Sequence, residues 1–140
     1  MSSIEARRIA TILLTPLAAL AAWALFRAAG VSFHVSTGDG RVGAVDVLVV
    51  ATLAAALGWA VVRQLERRVE RPRLWWARVA STALAVSIVG PSRLADGGSG
   101  VALTALHVVT AVVISLGFTP TVPVQRGGRL PGALPSGTEA

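Results

Sequence analysis

The sequence predicts an all-α fold, an integral membrane four-helix antiparallel bundle, from three observations. Four long apolar runs are separated by short polar segments. The chain is 54% hydrophobic and only 14% charged, whereas a soluble globular chain usually carries about a quarter charged residues. All 13 basic residues are arginine, and they cluster near the ends of the apolar runs, as expected for the loops that flank membrane spans.

The apolar runs divide the chain into a leader, four spans and a tail. Residues 1–8 form a short cytoplasmic leader, and the spans are predicted at 9–29, 44–65, 74–90 and 101–118. The first run of 21 residues would be about 30 Å long as a helix, which matches the hydrocarbon core of a bilayer. Residues 119–140 contain four prolines and have little to bury, so they are predicted to be a disordered cytoplasmic tail.

A cleaved secretory signal is the alternative for the first run. Arg7 and Arg8 resemble the basic start of such a signal, and Ala22-Trp23-Ala24 resembles a cleavage site. The apolar part is longer than the 7–15 residues usual in signals. A retained first span is therefore favoured.

The segment between the second and third runs, Val62–Arg78, is predicted to be a cytoplasmic hinge. Five of its arginines fall within eleven residues: Arg63, Arg67, Arg68, Arg71 and Arg73. Trp75 and Trp76 follow them at the start of the third run, and tryptophan favours the head-group level of a bilayer. These seven residues are predicted to fix the topology and to contact anionic lipid head groups.

Arginine placement predicts the orientation of the bundle. With the N-terminus inside, ten arginines lie on the cytoplasmic side and three on the outer side, namely Arg27, Arg41 and Arg93. The positive-inside rule then places both termini in the cytoplasm and the protein in the cytoplasmic membrane.

Small residues at helical spacing predict how the spans pack, since close approach and interhelical hydrogen bonds hold helices together in lipid. Each span carries one such stripe: Thr11, Thr15, Ala18 and Ala22; Ala51, Ala54, Ala55 and Gly58; Ala77, Ser81 and Ala85; Thr104, His107, Ala111 and Ser115. A homodimer through a spare stripe is an open alternative.

Four polar residues form the candidate intramembrane site: His107, Asp46, Thr104 and Arg78. Arg78 is expected to reach the cytoplasmic surface or to pair with Glu66 or Glu70. Asp46 is expected either to pair with Arg27 at the outer surface or to be solvated. His107 is expected to point into the bundle beside Thr104, where it either bridges helices by hydrogen bonds or titrates and handles protons with Asp46.

Catalytic, metal and cofactor sites are not predicted. The chain has no cysteine, and its two histidines are not joined by a carboxylate cluster, so no metal site is expected. The stretch 38–43 matches G-x-G-x-x-G, but a membrane span follows it in place of a βαβ unit, so it is interpreted as a flexible turn. The basic net charge is assigned to topology and anionic lipid, with no nucleic-acid partner expected.

Three short motifs carry a resemblance to a known family: Leu65-Glu66-Arg67, Gly90-Pro91 and Leu106-His107-Val108-Val109. The chain resembles, over about 9–118, a family of small bacterial four-span membrane proteins of unknown function. The resemblance implies a four-helix integral membrane protein and brings no activity, cofactor or catalytic residue with it.

The sequence therefore predicts a small non-enzymatic multi-pass membrane protein that acts as an accessory or partner-binding subunit. Its hinge and tail would contact cytoplasmic partners or anionic lipid. The alternative is a small oligomeric transporter or channel for protons or a small solute that uses His107 and Asp46. Oligomeric state discriminates between the two, since a transporter of this size would need to oligomerise.

Overall fold

The computed structural model describes residues 2–31, 33, 41–94 and 97–123. Four α-helices follow one another: α1 (Ser3–Ala28), α2 (Ala44–Arg68), α3 (Pro72–Leu94) and α4 (Gly97–Phe118). A 3-10 turn, Thr119–Thr121, follows α4 directly. No strand is present among the described residues, so the predicted all-α bundle is confirmed.

The helices run up and down, because two core clusters divide the bundle into two ends. One cluster joins the ends of α2 and α4 to the start of α3, through Val62, Phe118 and Trp76. We call this the arginine end. The other cluster joins α1, α2 and α4 at the opposite end and includes Phe33. We call this the loop end.

Helix boundaries follow from local chemistry. Ser2 caps α1, because its hydroxyl accepts from the backbone N–H of Glu5 (3.2 Å) while the Glu5 carboxylate accepts from the backbone of Ser2 (3.2 Å). Gly30, at φ +83°, follows the end of α1 in a conformation that favours glycine. Pro72 is the first residue of α3, where its missing N–H costs nothing. The helices extend past the predicted spans, by six residues at the start of α1 and four at the end of α3.

The helices are not packed equally. α1 packs extensively against α2 and α4, and α3 packs mainly against α4, whereas α2 and α3 meet only sparsely. The tightest approach joins α1 to α4, where a Cβ built on Gly117 would lie 2.8 Å from Cβ of Thr11. The bundle therefore has a firm three-helix contact around α1 and a loosely closed side between α2 and α3.

The predicted packing stripe of α3 is wrong. Ala77, Ser81 and Ala85 are all exposed, and the bundle-facing positions include Trp76 and Ala80. Trp76 is 3% exposed, meets the Phe118 ring edge-on at 5.9 Å and donates from Nε1 to the hydroxyl of Thr119 (3.2 Å). One large aromatic side chain therefore outweighs three small residues in choosing the buried face of this helix.

The prediction that Trp76 anchors the chain at the head-group level is also wrong, because its ring lies in the core. Trp75 is 45% exposed, so its ring remains available for that position. Neighbouring residues on an α-helix point about 100° apart, so only one of the two rings can face lipid.

The outer surface of the bundle is apolar. Leucine and valine side chains more than half exposed occur on α1, α2, α3 and α4, for example Leu25, Leu57, Val86 and Leu116. Three helical stretches are long and apolar enough to cross a membrane: Ser3–Ala28, Ala44–Arg68 and Gly97–Thr121. The helix α3 is not among them.

The segment after α4 is ordered at its start, contrary to the predicted tail. Thr121 and Val122 are 4% and 3% exposed, and Val122 belongs to the core cluster of the arginine end. The prediction that disorder begins at residue 119 is therefore wrong for 119–122. Residues 124–140 lie outside the described part of the chain.

Candidate functional site

A groove of about 600 Å³ lies on the loosely closed side of the bundle, between α2, α3 and α4. It extends from Asp46 near the loop end to Val61 and Trp76 near the arginine end. Most of its lining is apolar, and small side chains such as Ala83 form much of the wall. The groove exists because α2 and α3 meet sparsely, so the floor formed by α4 stays uncovered.

His107 lies on the floor of this groove. Its Nδ1 is 2.7 Å from the backbone oxygen of Leu103, and a carbonyl oxygen only accepts, which assigns the hydrogen to Nδ1. In neutral imidazole, Nε2 is then an acceptor. Nε2 has no hydrogen-bond partner among the described residues. Every buried polar side-chain atom in the described part of the chain has a partner. Nε2 is therefore not buried, and it is accessible from the groove.

Asp46 lines the same groove, close to its loop end. Its Oδ2 accepts from the backbone N–H of Gly43 (2.8 Å) at the start of α2, and the residue is exposed. No ion pair with Arg27 forms. The Arg27 guanidinium instead lies over the ring of Trp23, 5.9 Å from its centre. Of the two outcomes expected for Asp46, the ion pair is therefore wrong.

The relative heights of Asp46 and His107 follow from the contact between α2 and α4. A Cβ on Gly58 would lie 3.3 Å from both Ile114 and Phe118. Because both helices start at the loop end, His107 lies between the heights of Val47 and Ala51, so Asp46 lies at most about 8 Å nearer the loop end at 1.5 Å per residue.

The hydroxyl groups of the groove donate to their own helices. Thr110 donates to the backbone oxygen of Leu106 (2.8 Å), and Ser87 donates to that of Leu84 (2.9 Å). Each hydroxyl has one hydrogen, so its remaining capacity is that of an acceptor. Together with His107 and Asp46, these side chains give this part of the groove acceptors without free donors. The hydroxyl of Ser115, which also lines the groove, lies nearer the arginine end and has no such bond within the described part of the chain.

The other two predicted site residues lie elsewhere. Thr104 lines a small surface pocket with Gly97, Gly100 and Val101, and it is absent from the groove lining. Arg78 is exposed and stacks over the ring of Trp75 at 5.4 Å. The predicted pairing of Arg78 with Glu66 is wrong, because Glu66 is occupied by Arg8.

A family model matches residues 1–123 of the 140. The chain belongs to DUF6069, a family of unknown function. The match includes the leader and the ordered start of the tail, both of which lay outside the 9–118 of the predicted resemblance. No curated protein and no solved structure matches the chain, so the function has to be argued from the structure itself.

The arginine end of this DUF6069 protein contains a polar network that the sequence analysis missed. Arg8, 6% exposed, donates from Nη1 to Glu66 Oε2 (3.2 Å) and from Nη2 to Glu66 Oε1, so the pair is two-pronged. Its Nε donates to the hydroxyl of Thr121 (3.2 Å) and Nη2 to the Thr121 backbone oxygen (3.1 Å). The network therefore joins α1, α2 and the segment after α4.

The signal for this network was weak in the sequence. The pattern of arginines predicts the same cytoplasmic position for Arg8 as for Arg7, and Glu66 is predicted as a candidate partner of Arg78. Nothing in the spacing indicates that Arg8 lies buried and Arg7 exposed. A buried charge requires a partner, but the partner of Arg8 is Glu66, which lies 58 residues further along the chain.

Seven arginines at the arginine end are exposed: Arg7, Arg63, Arg67, Arg68, Arg71, Arg73 and Arg78. Two exposed glutamates, Glu5 and Glu70, oppose them, which leaves an excess of five positive charges. Arg63 also stacks on Trp59 at 5.5 Å. The DUF6069 bundle thus presents a basic surface edged by two arginine–tryptophan pairs, while the arginine that neutralises Glu66 is hidden beneath it.

Within the described residues, no group of three or more histidine, cysteine, aspartate or glutamate side chains is placed to hold a metal ion. The first half of the G-x-G-x-x-G stretch, 38–40, lies outside the described residues. Arg93, counted among the three outer arginines, lies in α3.

Proposed function

We propose that this protein is a non-enzymatic accessory subunit of the cytoplasmic membrane that crosses the bilayer four times with both termini in the cytoplasm. Its exposed basic surface would contact an acidic cytoplasmic segment of a partner membrane protein or anionic lipid head groups. The observation that carries the proposal is the excess of five positive charges at the arginine end.

The antiparallel arrangement supports this proposal because it concentrates charges that are distant in sequence. The leader, the hinge and the end of α4 meet at the arginine end. Juxtamembrane basic residues each contribute about 1 kcal/mol to the attraction for an anionic surface. An excess of five such charges would contribute about 5 kcal/mol to that attraction.

Membrane insertion of α3 is part of the proposal and is supported by its outer face. The helix has 23 residues, about 34 Å in length, and its exposed side chains include Val79, Val86 and Val89. Trp75 and Arg78 stack at its arginine end, where an interfacial anchor is expected. Its lower hydropathy follows mainly from its arginines, tryptophans and prolines, with a smaller contribution from its serines and threonine.

A non-enzymatic role is supported by the state of the hydroxyl groups in the groove. Ser87 and Thr110 donate to their own backbone, so neither presents its hydrogen to the base that an activated nucleophile requires. Ser115, which also lines the groove, lies eight residues from His107 along α4, about 12 Å. The Nε2 atom of His107 has no described hydroxyl partner.

Site-specific photo-crosslinking in native membranes tests the accessory role. A photoactivatable amino acid replaces Arg67 or Arg71 in the hinge, and Leu53, which is 58% exposed, serves as the lipid-facing control. We expect a discrete protein adduct at the two hinge positions and lipid adducts alone at position 53. Lipid adducts alone at all three positions would contradict the accessory role and leave lipid binding as the task of the basic surface.

A charge-reversal pair tests whether the contact is electrostatic. Arg67→Glu should reduce the adduct formed at position 71 several-fold, because it replaces an attraction by a repulsion. Arg27→Glu at the loop end reverses the charge of another exposed arginine and should leave the adduct unchanged. Equal loss in both variants would show that net charge, and not this surface, controls the contact.

A proton or small-solute pathway is the second candidate, because His107 and Asp46 line the same groove. Wild type, His107→Gln and His107→Leu are incorporated into vesicles, and the decay of an imposed pH gradient is followed with a dye. If the protein is an accessory subunit, the pH gradient should decay in all three samples as it does in empty vesicles. A wild-type leak that both variants lack would favour the pathway, since glutamine cannot replace imidazole in proton transfer.

A further inference from the structure

The groove is elongated and has the volume of a small-ligand site. From Asp46 to Val61 it spans 15 residues of α2, about 22 Å, and its volume is about 600 Å³. Sites for small ligands have volumes of about 300–1,000 Å³, so the groove falls in the range for a small apolar molecule.

The groove is polar in one half and mainly apolar in the other. Asp46 and His107 both lie towards the loop end, within about 8 Å of each other along the helix axes. The half nearer the arginine end is lined by Leu57, Val61, Val79, Trp76 and Ile114, with Ser115 as its polar residue. This division matches an amphiphile with its head group at the loop end and its chain pointing towards Trp76.

The chemistry of the polar half selects the head group. Its polar side chains present acceptors, since the hydrogens of Ser87 and Thr110 and the Nδ1 hydrogen of His107 are committed to backbone oxygens. Asp46 supplies a carboxylate, and no arginine is among the described residues that line the groove. A head group that brings donors and a positive charge fits this lining, and an anionic head group does not.

We propose that the groove between α2, α3 and α4 binds a lipophilic amine that enters from the bilayer. The ammonium group lies between Asp46 and the Nε2 atom of His107, and a single apolar chain occupies the half lined by Val61 and Trp76. The proposal does not depend on the basic surface. It concerns the groove that the second candidate function also uses, and it names the class of molecule that this groove binds.

The test is calorimetric titration of the full-length protein in phosphatidylcholine nanodiscs, with empty nanodiscs as the blank. Four probes share a twelve-carbon chain: dodecylamine, dodecyltrimethylammonium, dodecanol and dodecanoate. We expect saturable binding of about one dodecylamine per protein, at least tenfold tighter than dodecanol or dodecyltrimethylammonium, since a hydrogen bond to a charged group adds about a factor of ten or more. Dodecanoate should not bind above the blank.

Two substitutions test the head-group contacts. Asp46→Asn removes the charge with little change of shape, and His107→Leu removes the acceptor. Each should weaken dodecylamine binding about tenfold or more. Thr104→Val is the matched control, because Thr104 lies on α4 outside the groove lining, and it should leave binding unchanged.

A pair of alanines on α3 tests the chain-binding half. Ala83 and Ala85 are both exposed, but only Ala83 lines the groove. Ala83→Leu should fill the groove and weaken dodecylamine binding at least tenfold, whereas Ala85→Leu should bind as wild type does. Circular dichroism verifies that each variant is folded, and Asp46→Asn serves as the test should Ala83→Leu fail to fold.

Three results would overturn the proposal. The first is dodecylamine binding that does not saturate above the blank, and the second is dodecanoate binding as tight as that of dodecylamine. The third is equal binding by Ala83→Leu and Ala85→Leu. The pH-gradient assay is separate, so amine binding without a proton leak would support this proposal and contradict the second candidate function.

Discussion

Arg8 and Glu66 form a two-pronged ion pair across 58 residues of sequence at the arginine end of the bundle. The Arg8 side chain is 8% exposed and that of Glu66 is 21% exposed. Arg8 also donates from Nε and Nη2 to Thr121, so four of the five guanidinium hydrogens have a partner. The start of α1, the end of α2 and the segment after α4 are therefore fixed to one another by a single side chain.

Breaking this pair should destabilise the bundle. Glu66→Leu leaves Arg8 without its carboxylate, and loss of one partner of a buried pair costs about 3–5 kcal/mol. Arg8→Met should have a similar effect. The double variant should recover most of the loss, because it leaves no unpaired charge. The free energy of unfolding in detergent measures all three.

The control for this cycle is Arg7→Met, since Arg7 is the exposed neighbour of Arg8. It should change stability by less than about 0.5 kcal/mol. A double variant no more stable than either single variant would show that the pair contributes more than charge compensation.

The contact between α1 and α4 at Thr11 should not tolerate a larger residue. Gly117→Ala places a Cβ 2.8 Å from Cβ of Thr11, and overpacking of this kind costs about 1–3 kcal/mol. Gly90→Ala is the matched control, because a Cβ there has no neighbour within 4 Å. Thermal unfolding in detergent should show a lower midpoint for Gly117→Ala alone, and equal midpoints would mean that the two helices separate readily.

Two truncations should distinguish the ordered from the remaining part of the tail. A chain ending at Pro123 keeps Thr121 and Val122 and should be as stable as the full chain. A chain ending at Phe118 loses the Thr121 bonds to Arg8 and the burial of Val122, so it should unfold at a lower temperature. Marked loss of folded protein on removal of residues 124–140 alone would show that these residues also contact the bundle.

Reporter fusions should test the proposed membrane topology. Fusions after Arg8, within 66–73 and after Gly127 should report the cytoplasm, and a fusion within 92–100 should report the outside. The last position is decisive for α3, because it is external only if this helix crosses the membrane. A cytoplasmic signal there would reduce the protein to fewer spans, and an external signal within 66–73 would invert the orientation.

Much of the architecture could be predicted from the sequence, because it depends on local composition. Apolar runs near the length of a bilayer core require helices, since every backbone group must be paired within its own segment. Short loops between such runs require antiparallel neighbours. The helix count and the convergence of the arginine-rich segments at one end follow from those two facts.

The tertiary structure decided which face of each helix is buried and which charges meet. Helical spacing allowed Ala77, Ser81 and Ala85 as the packing stripe of α3, but burial of Trp76 rotates that stripe outward. The sequence by itself determined the membrane-type helices and the grouping of arginines. Only the fold could pair Arg8 with Glu66 and place Asp46 and His107 on one groove, because contacts between helices depend on axial register and rotation, which the pattern of apolar residues leaves free.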